Sequence, residues 1–456
     1  MHPKNDRGQS SRLIVRLSAL WLLLAAVGPM SALGAVEATA PLAIPWSRYR
    51  LPNGLDVVLA PDETASEVSI EMWIHVGARH EAPGRFGLAH FFEHAMPFGL
   101  GVIRTQVGRG LLDSMRTNSN AITRFDYTRF YAQARAEAMD LFLLAAADRL
   151  RADPVLELTA ARVETHRRNV VNEIARAAGG PWGWPVKLAL HTGTFGPHHP
   201  YGHHMYGSEA ETLGTSADDL LRWHRAHIRP EYTTLIVVGR FDPAAARSAI
   251  EQAFGGIPGG TRLVRSAHAV PVVAPATDSV SVVSDRSHVF LSWAVPQWDS
   301  EERPSLTVLA RVLSYRLAAS RPFSVQDATA EAEFWELAGR FGVWATFSKE
   351  ADRPAIEAWL RREVARLLAD GVTERELRMA HEAEIASIRE QLLVLGWQSS
   401  RSELLGEGAI FADDPGAYLL HLERQGAVTP EIARRTALRW LADQGFLLVV
   451  RGTARQ

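Results

Sequence analysis

The stretch Gly87-Leu88-Ala89-His90-Phe91-Phe92-Glu93-His94-Ala95-Met96 places two imidazoles and a carboxylate close together in apolar, helix-compatible sequence. At about 100° per residue, His90 and His94 fall roughly 40° apart on one helix face, near enough to share one metal ion. Glu93 comes next to His94, so it lies beside that ion and outside its ligand set. The pattern is that of a hydrolytic zinc site. Zinc makes a coordinated water easier to deprotonate, and a neighbouring carboxylate takes the proton as the water attacks a carbonyl. Leu88, Phe91 and Phe92 bury the helix and keep the site dry. The plain alternative is a surface helix that carries two histidines by accident.

Outward from this helix the chain reads as mixed α and β. Residues 55–59 and 68–74 alternate as half-buried strands joined through Pro61-Asp62-Glu63. Residues 123–135 have the β-branched and aromatic content of a strand, and 136–150 read as an amphipathic helix. A further helix over 159–177 has Val163, Val170, Val171 and Ile174 on its apolar side and carries Glu173 as the candidate third ligand. His166 lies two turns earlier on the same face, and Glu164 is a second candidate on another face; a solvated carboxylate is the plain reading of Glu173. Residues 179–207 read as a loop rich in Gly, Pro, Trp and His. Its histidines, His198, His199, His203 and His204, read as surface polar groups or turn formers before ligands. Residues 216–227 and 242–254 are helices around a buried strand at 235–239.

At 456 residues there is room for two or more domains. Residues 45–258 form a first domain, 259–275 a linker rich in turn residues, and 276–456 a second domain in which the programme begins again. Strands at 280–283, 289–293 and 341–347, helices at 306–319 and 355–369, a Thr373/Glu376 capping box, a helix start at Thr429-Pro430 and a strand at 446–450 repeat the α+β character of the first half. The inference is a duplicated fold with metal chemistry in the first copy alone. The 49 Lys and Arg against 51 Asp and Glu give no basic groove for nucleic acid. Cysteine is absent, so there is no disulfide framework or thiolate ligand, and a metal must be held by His and carboxylate. Lys4, Arg7, Arg12 and Arg16, the apolar run at 17–27 and Ala32-Leu33-Gly34 read as a secretory signal over residues 1–34, which points to a bacterial periplasm. The alternative is an uncleaved anchor in the inner membrane, facing the periplasm.

Beside His90-Phe91-Phe92-Glu93-His94 stand Asn120-Ala121-Ile122-Thr123-Arg124-Phe125-Asp126-Tyr127-Thr128, Asn169-Val170-Val171-Asn172-Glu173, His199-Pro200-Tyr201, Gly207 and Arg229-Pro230. In this order they resemble landmarks of the pitrilysin and insulinase family of zinc metallopeptidases, in particular the short bacterial members akin to the mitochondrial processing peptidase. The likeness runs from about residue 46 to the C-terminus. It implies two tandem homologous α/β-sandwich domains, one Zn2+ held by His90, His94 and Glu173, and Glu93 as general base. It also implies extended peptide substrates added as a strand to a sheet edge, with Asn120, Ala121 and Thr123 in the substrate-binding strand. Two departures stand out. His166 occupies a position where many members carry a second glutamate. Members that act alone place an Arg and a Tyr in the second half to stabilise the tetrahedral intermediate; alignment puts Arg316 near the Arg and Phe323, which has no hydroxyl, at the Tyr. The expectation is a zinc endopeptidase that works with a homologous chain lacking the zinc motif, or as a homodimer. A binding or scaffold subunit, and a zinc hydrolase of non-peptide bonds, are the alternatives.

Overall fold

Runs of β-branched and aromatic residues with a period of two build the first sheet, since each strand must present one face to each of two apolar layers. In the computed structural model, which describes residues 41–96, 106–151, 158–177, 182–260, 269–348 and 350–453, these strands are β1 (Ser47–Arg50), β2 (Asp56–Pro61), β3 (Glu67–Ile74), β4 (Arg116–Thr123), β5 (Thr128–Arg135) and β6 (Thr233–Gly239). The signal segment 1–34 lies outside the described residues. The strand order is β1-β2-β6-β3-β5-β4; β2 and β6 are parallel and every other pair is antiparallel. Around the sheet run α1 (Leu88–Ala95), α2 (Gln106–Met115), α3 (Met139–Arg151), α4 (Ala160–Ala177), α5 (Trp184–Phe195), α6 (Glu209–Gly214), α7 (Ala217–His227) and α8 (Pro243–Phe254).

The second half repeats the plan. Its strands are β7 (Thr277–Val283), β8 (Arg286–Val295), β9 (Val325–Phe334), β10 (Gly339–Ser348) and β11 (Phe446–Thr453), in the order β7-β11-β8-β10-β9. Again one pair, β7 with β11, is parallel and the rest are antiparallel. Taken from β2 onward, the first sheet has the same order and the same polarity, which is the duplication. The helices of this half are α9 (Arg303–Ser320), α10 (Arg353–Asp370), α11 (Glu374–Leu392), α12 (Arg401–Glu407), α13 (Ala417–Gly426) and α14 (Pro430–Trp440). The Thr373/Glu376 capping box opens α11, and Thr429 caps α14 through the Ile432 N–H.

Each sheet has two buried faces, and the two halves share the work of covering them. Val57, Leu59, Ile70, Met72, Leu235 and Val237 face the helices of their own half, including α1, α3 and α8. The alternate residues Val58, Ala60, Trp73, Ile236 and Val238 pack against Leu405, Ile410, Phe411 and Tyr418 from the second half. In return α5 lays Val186 and Leu190 on Phe290, Phe446, Leu448 and Val450 of the second sheet. The two halves are therefore interleaved.

Two expectations change. The 179–207 stretch contains a helix, α5, because its apolar residues find a sheet made hundreds of residues away in sequence terms rather than a local partner; Gly193 is needed there, since a Cβ would lie 2.2 Å from the Phe446 ring. The strand expected over 123–135 is two strands. Thr123 ends β4, the chain turns through Arg124–Tyr127 with Arg124 N–H donating to Tyr127 O at 2.8 Å, and β5 starts at Thr128. The turn exists because Asp126 is buried and accepts from Tyr201 Oη at 2.6 Å and from the Glu336 N–H at 3.1 Å, which fastens the two halves together. Among the described residues no helix is long and apolar enough to cross a membrane.

Candidate metal centre

Helix α1 is anchored at its first residue. Gly87 has φ +87°, and a Cβ there would lie 2.3 Å from Tyr206 O; at Gly207, φ +65°, a Cβ would lie 2.0 Å from Phe86 O. Only glycine fits such a mutual backbone approach in the left-handed region. The buried Glu81 carboxylate then accepts from the Gly87 and Ala89 N–H groups, each at 2.7 Å, and satisfies donors that the helix start leaves free. Ala89, Phe91, Phe92 and Ala95 enter the core, which turns His90 and His94 toward α4.

There the side chains converge. His90 Nε2 and His94 Nε2 are 3.2 Å apart, Glu173 Oε2 is 3.1 Å from His94 Nε2, and Glu173 Oε1 is 3.7 Å from His90 Nε2. One ligand atom from each of the three residues lies within 4.8 Å of the others, and among the described residues no second such group of His, Asp and Glu occurs. Glu93 is set apart from this trio: the Thr123 hydroxyl at the end of β4 donates to its Oε2 at 2.6 Å. The Tyr206 ring stacks on the His90 imidazole at 4.1 Å between centroids, 21° from parallel, and His94 meets His90 edge-on at 4.7 Å.

Burial sets the charges. It pulls the His90 pKa down to about 3, so this imidazole is neutral with a lone pair to offer. Burial also pulls down on His94, but the Glu173 hydrogen bond and the nearby carboxylates outweigh it and leave its pKa raised. The same hydrogen bond, working against burial, lowers Glu173. Glu93 goes the other way, pushed up by burial despite the Thr123 bond, which moves a carboxylate toward the range of a useful base at neutral pH. Two imidazoles and a carboxylate converging without a thiolate suit zinc with one position left open.

The other residues singled out from sequence are distributed as follows. Glu164 is exposed and held by Arg167 at 3.0 Å, outside the trio. Burial, then the Arg162 and His94 charges, lower the His166 pKa, but His166 makes no hydrogen bond to the trio among the described residues. Asn120, Ala121 and Thr123 lie on β4, the outermost strand of the sheet, whose far edge is unpaired among the described residues; α1 runs beside it. Arg316 is drawn elsewhere: its guanidinium is bound by Glu376 at 2.7 and 2.8 Å and by Gly371 O at 2.8 Å, within the helical layer of the second half. Phe323 is fully exposed in the turn before β9. The loop histidines are a correction as well. His203 and His204 are buried; His203 stacks on Phe86 at 4.0 Å and its Nδ1 donates to His204 O at 3.1 Å, so they pack the segment beside α1. Sequence reasoning missed Glu81 and Tyr206. An acidic residue shortly before a helix start was a faint signal for Glu81; Tyr206 had none.

Comparison with known proteins places this geometry in context. Residues 56–203 match the profile described as insulinase (Peptidase family M16), and residues 215–383 match the profile described as the Peptidase M16 inactive domain. The chain belongs to this family of peptidases. It is 28% identical over 377 residues to an uncharacterized zinc protease of Mycobacterium tuberculosis, covering 78% of this chain and 81% of the relative. It is 25% identical over 431 residues to the mitochondrial-processing peptidase subunit beta of Blastocladiella emersonii, covering 88% of each. Among solved structures, a protease from Helicobacter pylori superposes with a TM-score of 0.77 at 19% identity, over 89% of this chain and 99% of that one. The two tandem α+β halves are thus the fold of the family.

Proposed function

We propose that the protein is a zinc endopeptidase that cleaves extended or unfolded peptides, with His90, His94 and Glu173 as ligands and Glu93 as general base. The observation that carries this reading is the separation of roles: three donor atoms within 4.8 Å of one another, and a fourth side chain, Glu93, held alongside by Thr123 rather than drawn among them. Zinc at this position supplies Lewis-acid activation of a water and of the scissile carbonyl. Thr123 occupies Glu93 Oε2, which leaves Oε1 to receive the proton of the attacking water and deliver it to the departing amine. The free edge of β4 offers main-chain donors and acceptors to an extended substrate, so Asn120, Ala121 and Thr123 position it by backbone pairing, and side-chain preference is broad.

Phe323 has no hydroxyl to donate and the Arg316 guanidinium is engaged by Glu376 and Gly371 O, and this favours an assembly. The chain acts with a second chain of the same fold, a homologue without the zinc motif or another copy of itself, that supplies donors to the tetrahedral intermediate. The composition of the first 34 residues supports export to the periplasm by a cleaved signal. The deciding experiment is hydrolysis of an unstructured peptide by the purified, zinc-loaded mature chain, with Glu93→Gln as control. Cleavage that vanishes in the variant supports the reading. Turnover of small esters with no peptide cleaved would replace it with another hydrolase, and a folded, zinc-bound chain that cleaves neither, alone or with a copurifying homologue, would make it a binding subunit.

A further inference from the structure

We propose that Tyr206 is a positioning residue for the metal centre: its ring, stacked on His90, does the orienting that a hydrogen bond to the second imidazole nitrogen does in most histidine metal sites. The proposal rests on His90 being a ligand.

A ligating imidazole must keep its lone pair aimed at the ion, and the torsion that swings the ring is soft because it joins sp³ to sp² carbon. Usually the other ring nitrogen donates to a carboxylate or carbonyl, which fixes both the tautomer and the ring plane. His90 lacks this support. Its Nδ1 is buried and has no hydrogen-bond partner among the described residues, although the residue is 3% exposed. No hydrogen bond at Nδ1 therefore resists turning of the ring; its polar contacts are those of Nε2 with His94 and Glu173.

What blocks the rotation is packing. Tyr206 covers one face of the imidazole at 4.1 Å and 21°, and His94 abuts it edge-on at 89°. A flat ring against a flat ring resists tilting of either, and such pairs hold preferred geometries beyond the area they bury. Tyr206 is itself held from behind. Its carbonyl is pressed against Gly87, the residue that starts α1, and the next residue, Gly207, takes φ +65° against Phe86 O. The same backbone clamp thus fixes the start of the helix that carries His90 and the ring that covers His90. His204 also meets the Tyr206 ring, at 5.3 Å between centroids and nearly perpendicular.

The experiment measures zinc affinity by chelator competition on the full mature chain, together with the visible spectrum of the cobalt-substituted protein, which reports ligand geometry without turnover. Tyr206→Ala should weaken zinc binding about 10–100-fold and alter the cobalt spectrum. Tyr206→Leu, which refills most of the volume without a flat face, should do the same. Tyr206→Phe keeps the ring and should keep both readouts within about twofold of wild type. Metal-free thermal unfolding separates loss of the site from loss of the fold, and Tyr206→Leu carries the test if the alanine variant fails to fold. Wild-type affinity and spectrum in Tyr206→Leu would overturn the proposal, as would Tyr206→Phe losing as much as Tyr206→Leu. A wild-type chain that binds no zinc would overturn the metal site itself, an outcome none of the variants can imitate.

Discussion

Glu93 and Thr123 illustrate how much depends on single atoms. Glu93→Gln should leave zinc content unchanged and lower the rate of peptide hydrolysis by about three or more orders of magnitude, because the proton acceptor goes and the ligands stay; metal analysis beside the kinetics checks both. Thr123→Val removes the donor to Glu93 Oε2 and should cost about tenfold in kcat, the worth of one hydrogen bond to a charged group, with zinc content again constant. Glu173→Ala should bind zinc more weakly, and unchanged affinity would move the third ligand elsewhere. The grouping of His90, Glu93 and His94 was legible in the sequence because helical spacing alone brings them together. Glu173 comes from a separate helix, so its arrival at His94 needed the fold or the family likeness. Glu81 was faintly legible as an acid ahead of a helix start, and Tyr206 was illegible, since it acts through a contact that local sequence cannot encode.

Among the elements, α1 has the least freedom. Gly87→Ala puts a methyl group 2.3 Å from Tyr206 O at a φ that L-residues avoid, and should destabilise the protein by about 2 kcal/mol or more while weakening zinc binding. Urea unfolding and chelator competition on the same variant check the two effects. Strands β2, β3, β6 and β11 could be read in advance because alternation or a short apolar run marks them. Helix α5 could not: Val186, Ala189 and Leu190 face the second sheet, but they sit among Trp, Pro, Lys, His, Gly and Thr, which read as a loop. Strand β9, with Val325-Gln326-Asp327-Ala328-Thr329-Ala330-Glu331-Ala332-Glu333-Phe334, pairs with β10 through main chain and carries small residues inward, so it gave no strong strand signal.

For the whole molecule, interleaving predicts one cooperative unfolding transition and no stable isolated half. Residues 42–260 expressed alone should aggregate or bind hydrophobic dyes, because the face bearing Trp73 and Ile236 loses Leu405 and Phe411; two resolved calorimetric transitions in the full chain would contradict this. Acid should act on the whole as well. Burial holds the His80 pKa down to about 3 and the His288 pKa down to about 4. Unfolded histidine takes up a proton below about 6.5 and these folded ones do not. At these two sites the unfolded state therefore binds more protons in the window from about 6.5 down to about 4, and the stability they contribute falls as pH drops through it, against the raised buried carboxylates such as Glu71 and Asp126. His288→Gln should remove about 2 kcal/mol of that pH dependence, read from urea midpoints across the window.

The cover for the first half's sheet is made long after the sheet itself. Leu405, Ile410, Phe411, Tyr418 and Leu422 follow His90, Glu93, His94 and Glu173 by well over two hundred residues, and until they emerge Val58, Trp73 and Ile236 lack their cover. A nascent or prematurely terminated copy thus carries the histidine pair and its glutamates on an unfinished body that chaperones and quality-control proteases recognise. A frameshift ahead of Leu405 therefore strips the cover from a sheet encoded far upstream of it.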